Sequence, residues 1–161
     1  MHLGRVFDCQ LITDMSEPTF FADGLRFDCL RCGACCTGEE GYVFLTEEDV
    51  ERLMKGLGLT RDELIERHLR IVDGKYSLQE TEDGRCVFWA GDCKAYEHRP
   101  YQCMSYPFWP SIMRSKESWN QLATTCVGVG RGRVHTEEEI RGWLRGFPRK
   151  LIGITPLSGE K

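Results

Sequence analysis

The sequence has no apolar run approaching the ~18 residues of a membrane span, and Met1-His2-Leu3-Gly4-Arg5 carries neither the basic region nor the apolar stretch of a secretion signal. A basic surplus is missing too. Twenty-one lysines and arginines face 25 aspartates and glutamates, and a net charge of −4 argues against a general nucleic-acid binder. The four histidines stand singly, with no H-E-x-x-H, and there is no G-x-S-x-G, no Rossmann glycine pattern and no P-loop. Membrane spanning, nucleic-acid binding and the common hydrolase and nucleotide chemistries therefore drop out of the expected functions. Repeats, low-complexity tracts and linkers are absent as well, and 161 residues predict a single domain, 1–161.

What is present is cysteine: nine in all, far above ordinary usage. Without a secretion signal, that number predicts metal in a reducing compartment, hence a cytoplasmic protein, before it predicts disulfides. The odd count and the adjacent pair Cys35-Cys36 agree. The densest stretch is Cys29-Leu30-Arg31-Cys32-Gly33-Ala34-Cys35-Cys36. Two residues between cysteines is the spacing at which a tight turn points both sulfurs inward. Gly33 and Ala34 keep that loop small enough for backbone N–H groups to approach the sulfurs. Structural zinc sites usually draw ligands as two separated pairs, whereas three in a row recurs where a [4Fe–4S] cluster takes its fourth ligand from a distant segment. The spacing favours iron–sulfur over zinc, and soft thiolates suit both.

A second set follows: Cys86-x6-Cys93-x9-Cys103, and then Cys126. Prolines 100, 107 and 110 forbid a continuous helix there and predict a rigid wrap of turns. Phe88, Trp89, Tyr96, Tyr101, Tyr106, Phe108 and Trp109 are available as a dry wall around a metal centre, or as ordinary core. Cys9 lies apart and reads as a small buried apolar residue. The remaining eight, Cys29, Cys32, Cys35, Cys36, Cys86, Cys93, Cys103 and Cys126, are the candidate metal ligands. They suffice for two sets of four, or for one centre with spare thiols, and the sequence does not assign partners. Four thiolates close a metal's coordination, which favours electron transfer, sensing or folding support over Lewis-acid catalysis. His98 is a fifth-ligand candidate or, more simply, a surface or supporting residue, and Arg99 either balances thiolate charge or pairs with a carboxylate.

Local signals predict an α+β fold, a small cysteine-rich domain of short helices and hairpins wrapped around the thiolate site. Asp23-Gly24 marks a hairpin delivering the chain to Cys29, and Tyr42 to Leu45 reads as a short strand. Thr46 with Asp49 and Thr60 with Glu63 open two helices, the first ended by Gly56 and Gly58. Asp73-Gly74 and Asp83-Gly84 are hairpin turns between short strands at Leu69 to Val72, Tyr76 to Gln79 and Cys86 to Trp89. Residues 111–123 carry little signal. Val127 to Gly132 reads as a flexible glycine-rich loop around a cysteine ligand. Thr136 with Glu139 caps a last helix over about 136–147, packing Ile140, Trp143, Leu144 and Phe147 inward, and the tail from Thr155 is expected to fray.

With these pieces in hand, the chain resembles the YkgJ-like cysteine-cluster family, the zinc- or iron-chelating CxxCxxCC domain of bacteria and archaea. The matching residues are Cys29 to Cys36 with Gly33, Cys86-Val87-Phe88, Cys93-x-x-Tyr96-x-x-Arg99-Pro100-x-x-Cys103, Tyr106-Pro107 and Cys126-x-Gly128-x-Gly130, spanning about 27–133. The resemblance implies a small metal-binding domain. The pattern is also similar to that of flagellin lysine methylases, larger proteins whose extra length this chain lacks. The functions expected are therefore a metal-binding protein holding [4Fe–4S] or zinc, a protein-modifying enzyme or subunit, or a zinc-stapled interaction module.

Overall fold

The computed structural model describes residues 18–37, 41–147 and 150–153. Cys9 and the tail from Thr155 lie outside the described residues. The hairpin expected at Asp23-Gly24 does not form: Phe20 to Asp23 is a turn, closed by Gly24 N–H to Phe21 O at 2.9 Å, and the strand after it pairs with a segment near residue 130 instead.

The fold is α+β, built from short elements whose ends are set locally. Strand β1 (Leu25–Phe27) precedes the cysteine loop. Helix α1 (Glu47–Leu57) starts at Thr46, whose hydroxyl accepts from the Asp49 N–H while Asp49 returns a bond to the Thr46 backbone. Gly58 ends it in the left-handed region at φ 67°. Gly56, expected to share in that stop, instead lies inside the helix. The ring of His98 packs where its Cβ would stand, so the glycine is needed for close approach. Helix α2 (Arg61–His68) repeats the cap with Thr60 and Glu63. It runs into a hairpin of β2 (Leu69–Val72) and β3 (Lys75–Leu78), paired antiparallel from Leu69↔Leu78 to Val72↔Lys75. The two turn residues, Asp73 and Gly74, have φ 48° and 72°, the positive pair a tight two-residue hairpin requires.

Tyr42 to Leu45 runs beside β3, with Leu78 N–H donating to Val43 O at 2.9 Å and Leu45 N–H to Tyr76 O at 3.2 Å. Beyond β3 the chain turns at Gly84 and returns: Thr81 N–H donates to Arg85 O (2.7 Å) and Val87 N–H to Gln79 O (2.9 Å). This is an isolated bridge between Glu80 and Cys86 in place of the expected Cys86 to Trp89 strand.

The prolines act as expected. Pro100 precedes a single helical turn, α3 (Tyr101–Met104), and Pro110 opens α4 (Pro110–Met113), so no helix runs through the wrap. Helix α5 (Lys116–Leu122) follows, capped by Ser115, in the segment whose sequence says little.

The glycine-rich stretch after Cys126 is the main departure from expectation. It is largely strand β4 (Val129–His135), antiparallel to β1, with Leu25 opposite His135 and a bulge between Arg26 and Phe27. Glycine here gives room rather than freedom: Gly128 and Gly132 both press against Asp28 with no space for a Cβ. Helix α6 (Glu137–Arg145) is capped by Thr136 and Glu139, with Ile140 and Leu144 buried, and beyond it Ile152 N–H donates to Leu45 O at 2.9 Å, bridging residues 150–153 to the other half of the fold.

Two apolar cores result. One gathers Phe21, Phe27, Phe108, Met113, Trp119, Cys126, Ile140 and Leu144. The other gathers Leu45, Val50, Leu53, Leu64, Leu69, Leu78, Phe88 and Ala95. Fully burying a side chain of this size contributes about 1.5–3 kcal/mol. Asp49 is an exception to apolar filling. It is 1% exposed, and its carboxylate accepts from Thr46 N–H (2.9 Å), Arg52 Nη1 (3.0 Å) and Tyr101 N–H (2.8 Å). That last bond ties α1 to the proline-bounded turn carrying Cys103.

Candidate metal centre

All eight candidate cysteines line one cavity of about 90 Å³ between the two cores. They arrive from four segments. Cys29, Cys32, Cys35 and Cys36 come from the loop after β1, Cys86 and Cys93 from the bridged turn after β3, Cys103 from α3, and Cys126 from the approach to β4. Of the aromatics expected as wall, Phe88, Trp89, Tyr96, Tyr106 and Trp109 line the cavity, joined by Phe27, whereas Tyr101 and Phe108 do not. All eight thiols are free; Cys126 is buried and Cys32 and Cys35 are exposed at the mouth.

Backbone bonds hold these segments in place. Cys36 N–H donates to Gly33 O (2.8 Å) within the loop, which turns at Arg31 (φ 51°) and Gly33 (φ 80°). Gly33 lies against the Trp89 ring with no room for a Cβ. Cys86 N–H donates to Cys36 O (2.8 Å), and Asp28 N–H donates to Gly128 O (3.2 Å), joining the front of the loop to the Cys126 segment. Cys93 bridges back to Trp89.

The sulfurs ring the cavity instead of meeting at a point. Cys35 Sγ and Cys36 Sγ are 3.8 Å apart, and among the described residues no three His, Cys, Asp or Glu side chains form a ready-made single-ion site. Their electrostatics show how they crowd. A hydrogen bond from Cys36 lowers the Cys35 pKa to about 7 against the opposing effect of burial, with Arg99 helping; donating that bond pushes Cys36 up. Burial pushes up Cys86 and Cys93. It also pushes up Cys103, reinforced by the charges of Cys86, Cys35 and Cys93. Tyr106 is raised by burial and then by Cys126, Cys35 and Cys32. Each raised thiol is one whose anion lacks compensation, which a bound cation supplies. Eight soft, free thiols facing one aromatic-walled space fit a thiolate-ligated metal.

Arg99 lies at this cavity, and its charge lowers Cys35, Cys93 and Cys103. Its guanidinium sits 3.6 Å above the Tyr96 ring and donates through Nε to Tyr96 O at 2.7 Å. Arg31 covers the opposite approach to the same ring at 3.7 Å. His98 is absent from the lining and packs on Gly56, which removes it as a ligand candidate. His68 stacks on Phe88 with centroids 5.0 Å apart, a core role. His135 is half-buried, its Nε2 3.0 Å from Phe27 O.

A second hollow of about 160 Å³ adjoins Cys36 and Cys86, lined also by Glu80 and Gln102. Both polar side chains are committed. Glu80 accepts from Arg70 (2.8 Å) and Gly41 N–H (3.0 Å); Gln102 donates to Tyr42 O (2.7 Å) and accepts from Phe44 N–H (3.2 Å). Sequence reasoning gave no sign of this framing role for Gln102, whose partners lie 58 and 60 residues away.

Among the described residues no helix is long and apolar enough to cross a membrane. The chain is similar to an uncharacterized protein of Methanocaldococcus jannaschii, MJ0661, with 25% identity over 125 residues, covering 73% of this chain and 66% of the relative, just under two thirds of its length. No solved structure matches. Residues 28–127 match the family CxxCxxCC, described as "Putative zinc- or iron-chelating domain", and with well over half its length inside that match this chain belongs to the CxxCxxCC family.

Proposed function

We propose that this protein is a cytoplasmic metal-binding protein holding a thiolate-ligated centre, [4Fe–4S] in preference to zinc, through Cys29, Cys32, Cys35, Cys36, Cys86, Cys93, Cys103 and Cys126. The observation that carries the reading is the convergence of eight free thiols from four segments on one cavity. The consecutive C-x-x-C-x-x-C spacing favours iron–sulfur. The centre serves electron transfer, sensing or metal handling, because thiolate-saturated coordination leaves no open position for substrate. The chain's own residues exclude water with aromatic side chains, hold thiolate charge beside Arg99 and fix the loop through Gly33 and Trp89. The neighbouring hollow has its acid and amide already engaged, so the protein-modifying reading gains no support from it.

Anaerobic purification followed by metal and acid-labile sulfide analysis tests the proposal. Iron with matching sulfide is the expected result. Stoichiometric zinc without sulfide replaces the cluster with a zinc-stapled module, and protein free of any metal overturns the reading altogether.

A further inference from the structure

We propose that the eight thiols divide into two adjacent four-thiolate centres: Cys29, Cys32, Cys35 and Cys126 in one, Cys36, Cys86, Cys93 and Cys103 in the other, with the vicinal pair Cys35-Cys36 spanning the junction. The inference rests on the metal-binding reading and assigns its ligands.

The two apolar cores sort the thiols first. Cys126 belongs to the core of Phe27 and Phe108, and Cys29 packs against that same core. Cys86 and Cys93 pack against the core of Leu78 and Phe88. The backbone sorts them in the same way. Asp28 N–H to Gly128 O fixes Cys29 beside the Cys126 segment, while Cys86 N–H to Cys36 O fixes Cys36 beside the Cys86 segment. Cys32 follows Cys29 in the same loop, and Cys103 sits on the turn that Tyr101 N–H ties to Asp49 of α1, whose Val50 and Leu53 belong to the second core. Cys35 is close to both groups, and its Sγ lies 3.8 Å from Cys36 Sγ. Its place in the triple C-x-x-C-x-x-C assigns it to the first centre, because three thiolates from one loop then need a single distant partner. Cys126 is that partner, and the remaining four complete the second set.

The chemical class of both occupants is a soft, thiolate-bound metal centre, and their contact through consecutive residues makes them neighbours for electron exchange. The test uses the full chain prepared without oxygen, with metal counted per chain by mass spectrometry and the visible and EPR spectra recorded. Cys32→Ser, at the exposed mouth, and Cys126→Ser should each lose half the metal, a twofold drop, and leave one identical residual spectrum. Cys86→Ser and Cys93→Ser should lose the other half and leave the complementary spectrum. Because Cys126 is buried, Cys32→Ser carries the comparison if Cys126→Ser fails to fold. Depletion of the same pool by Cys32→Ser and Cys86→Ser, or a full complement retained by well-folded Cys126→Ser, overturns the division while leaving metal binding intact. A wild-type chain without metal removes the metal-binding reading itself.

Discussion

Gly33 and Trp89 are in direct contact: the indole ring occupies the space where any other residue at position 33 would carry its Cβ, and the glycine holds φ 80°. This contact joins the first cysteine loop to the Cys86–Cys93 turn by shape alone. Gly33→Ala should destabilise the protein by about 2–4 kcal/mol, combining overpacking with left-handed backbone strain, and lower the metal content. Urea unfolding of the variant, alone and with Trp89→Leu, checks this; the smaller side chain should recover part of the loss.

Asp49 makes a different kind of join. Its carboxylate is the acceptor for Tyr101 N–H and the partner of Arg52, which also donates to Arg99 O at 2.9 Å. Asp49→Ala should cost about 3 kcal/mol, since a buried amide and a cation lose their acceptor together. Asp49→Asn should cost less. Denaturant titration gives the stability, and metal analysis should show a secondary loss as the Cys103 turn loosens.

Removing the Arg99 charge should move metal retention to higher pH. The guanidinium favours the thiolates of Cys35, Cys93 and Cys103, so Arg99→Gln raises all three and protons compete with metal more strongly. Metal content across a pH series for wild type, Arg99→Gln and Arg99→Lys is the measurement. The lysine variant should lie between the other two, lacking the stacked plane on Tyr96.

Metal-free and metal-loaded chains should respond oppositely to alkali. Cys36, Cys86, Cys93 and Cys103 have folded values above the ordinary 9.0, so the stability they lend is intact below 9.0 and is lost as pH rises toward those values. Cys35, lowered to about 7, acts in reverse: its contribution is present above 9.0 and lost as pH falls through 7. Four groups outweigh one, so the metal-free chain should melt at lower temperature as pH climbs past 9. The loaded chain should strengthen over the same range as protons stop competing. Thermal unfolding from pH 6 to 10 compares them.

Cys9→Ser should leave metal content unchanged, because eight thiols suffice for the centre. Loss of metal in that variant would place a ninth cysteine among the ligands.

What was legible in the sequence was local. The boxes at Thr46/Asp49, Thr60/Glu63 and Thr136/Glu139 each need only four consecutive residues, and all three form. The Asp73-Gly74 turn is equally self-contained. Thiol spacing named all eight cavity cysteines because metal chemistry restricts the residue types. The β1–β4 pairing was hidden by the separation of its strands: Leu25 meets His135 across 109 intervening positions, and a two-stranded ladder leaves no alternation on so short a segment. Glycine misled for a physical reason. At 128 and 132 it makes room for Asp28, and at 56 for His98, yet close approach and flexibility look alike in one letter.

The β1–β4 ladder also fixes when the centre can be finished. Cys29 waits for Cys126 to emerge from the ribosome, with most of the chain made in between, and Gly128 must be available before Asp28 finds its partner. Long-range closure of this kind comes late in folding. The first loop therefore lacks its Cys126 neighbour until most of the chain has been made, and on the two-centre proposal the first ligand set is complete only after that closure.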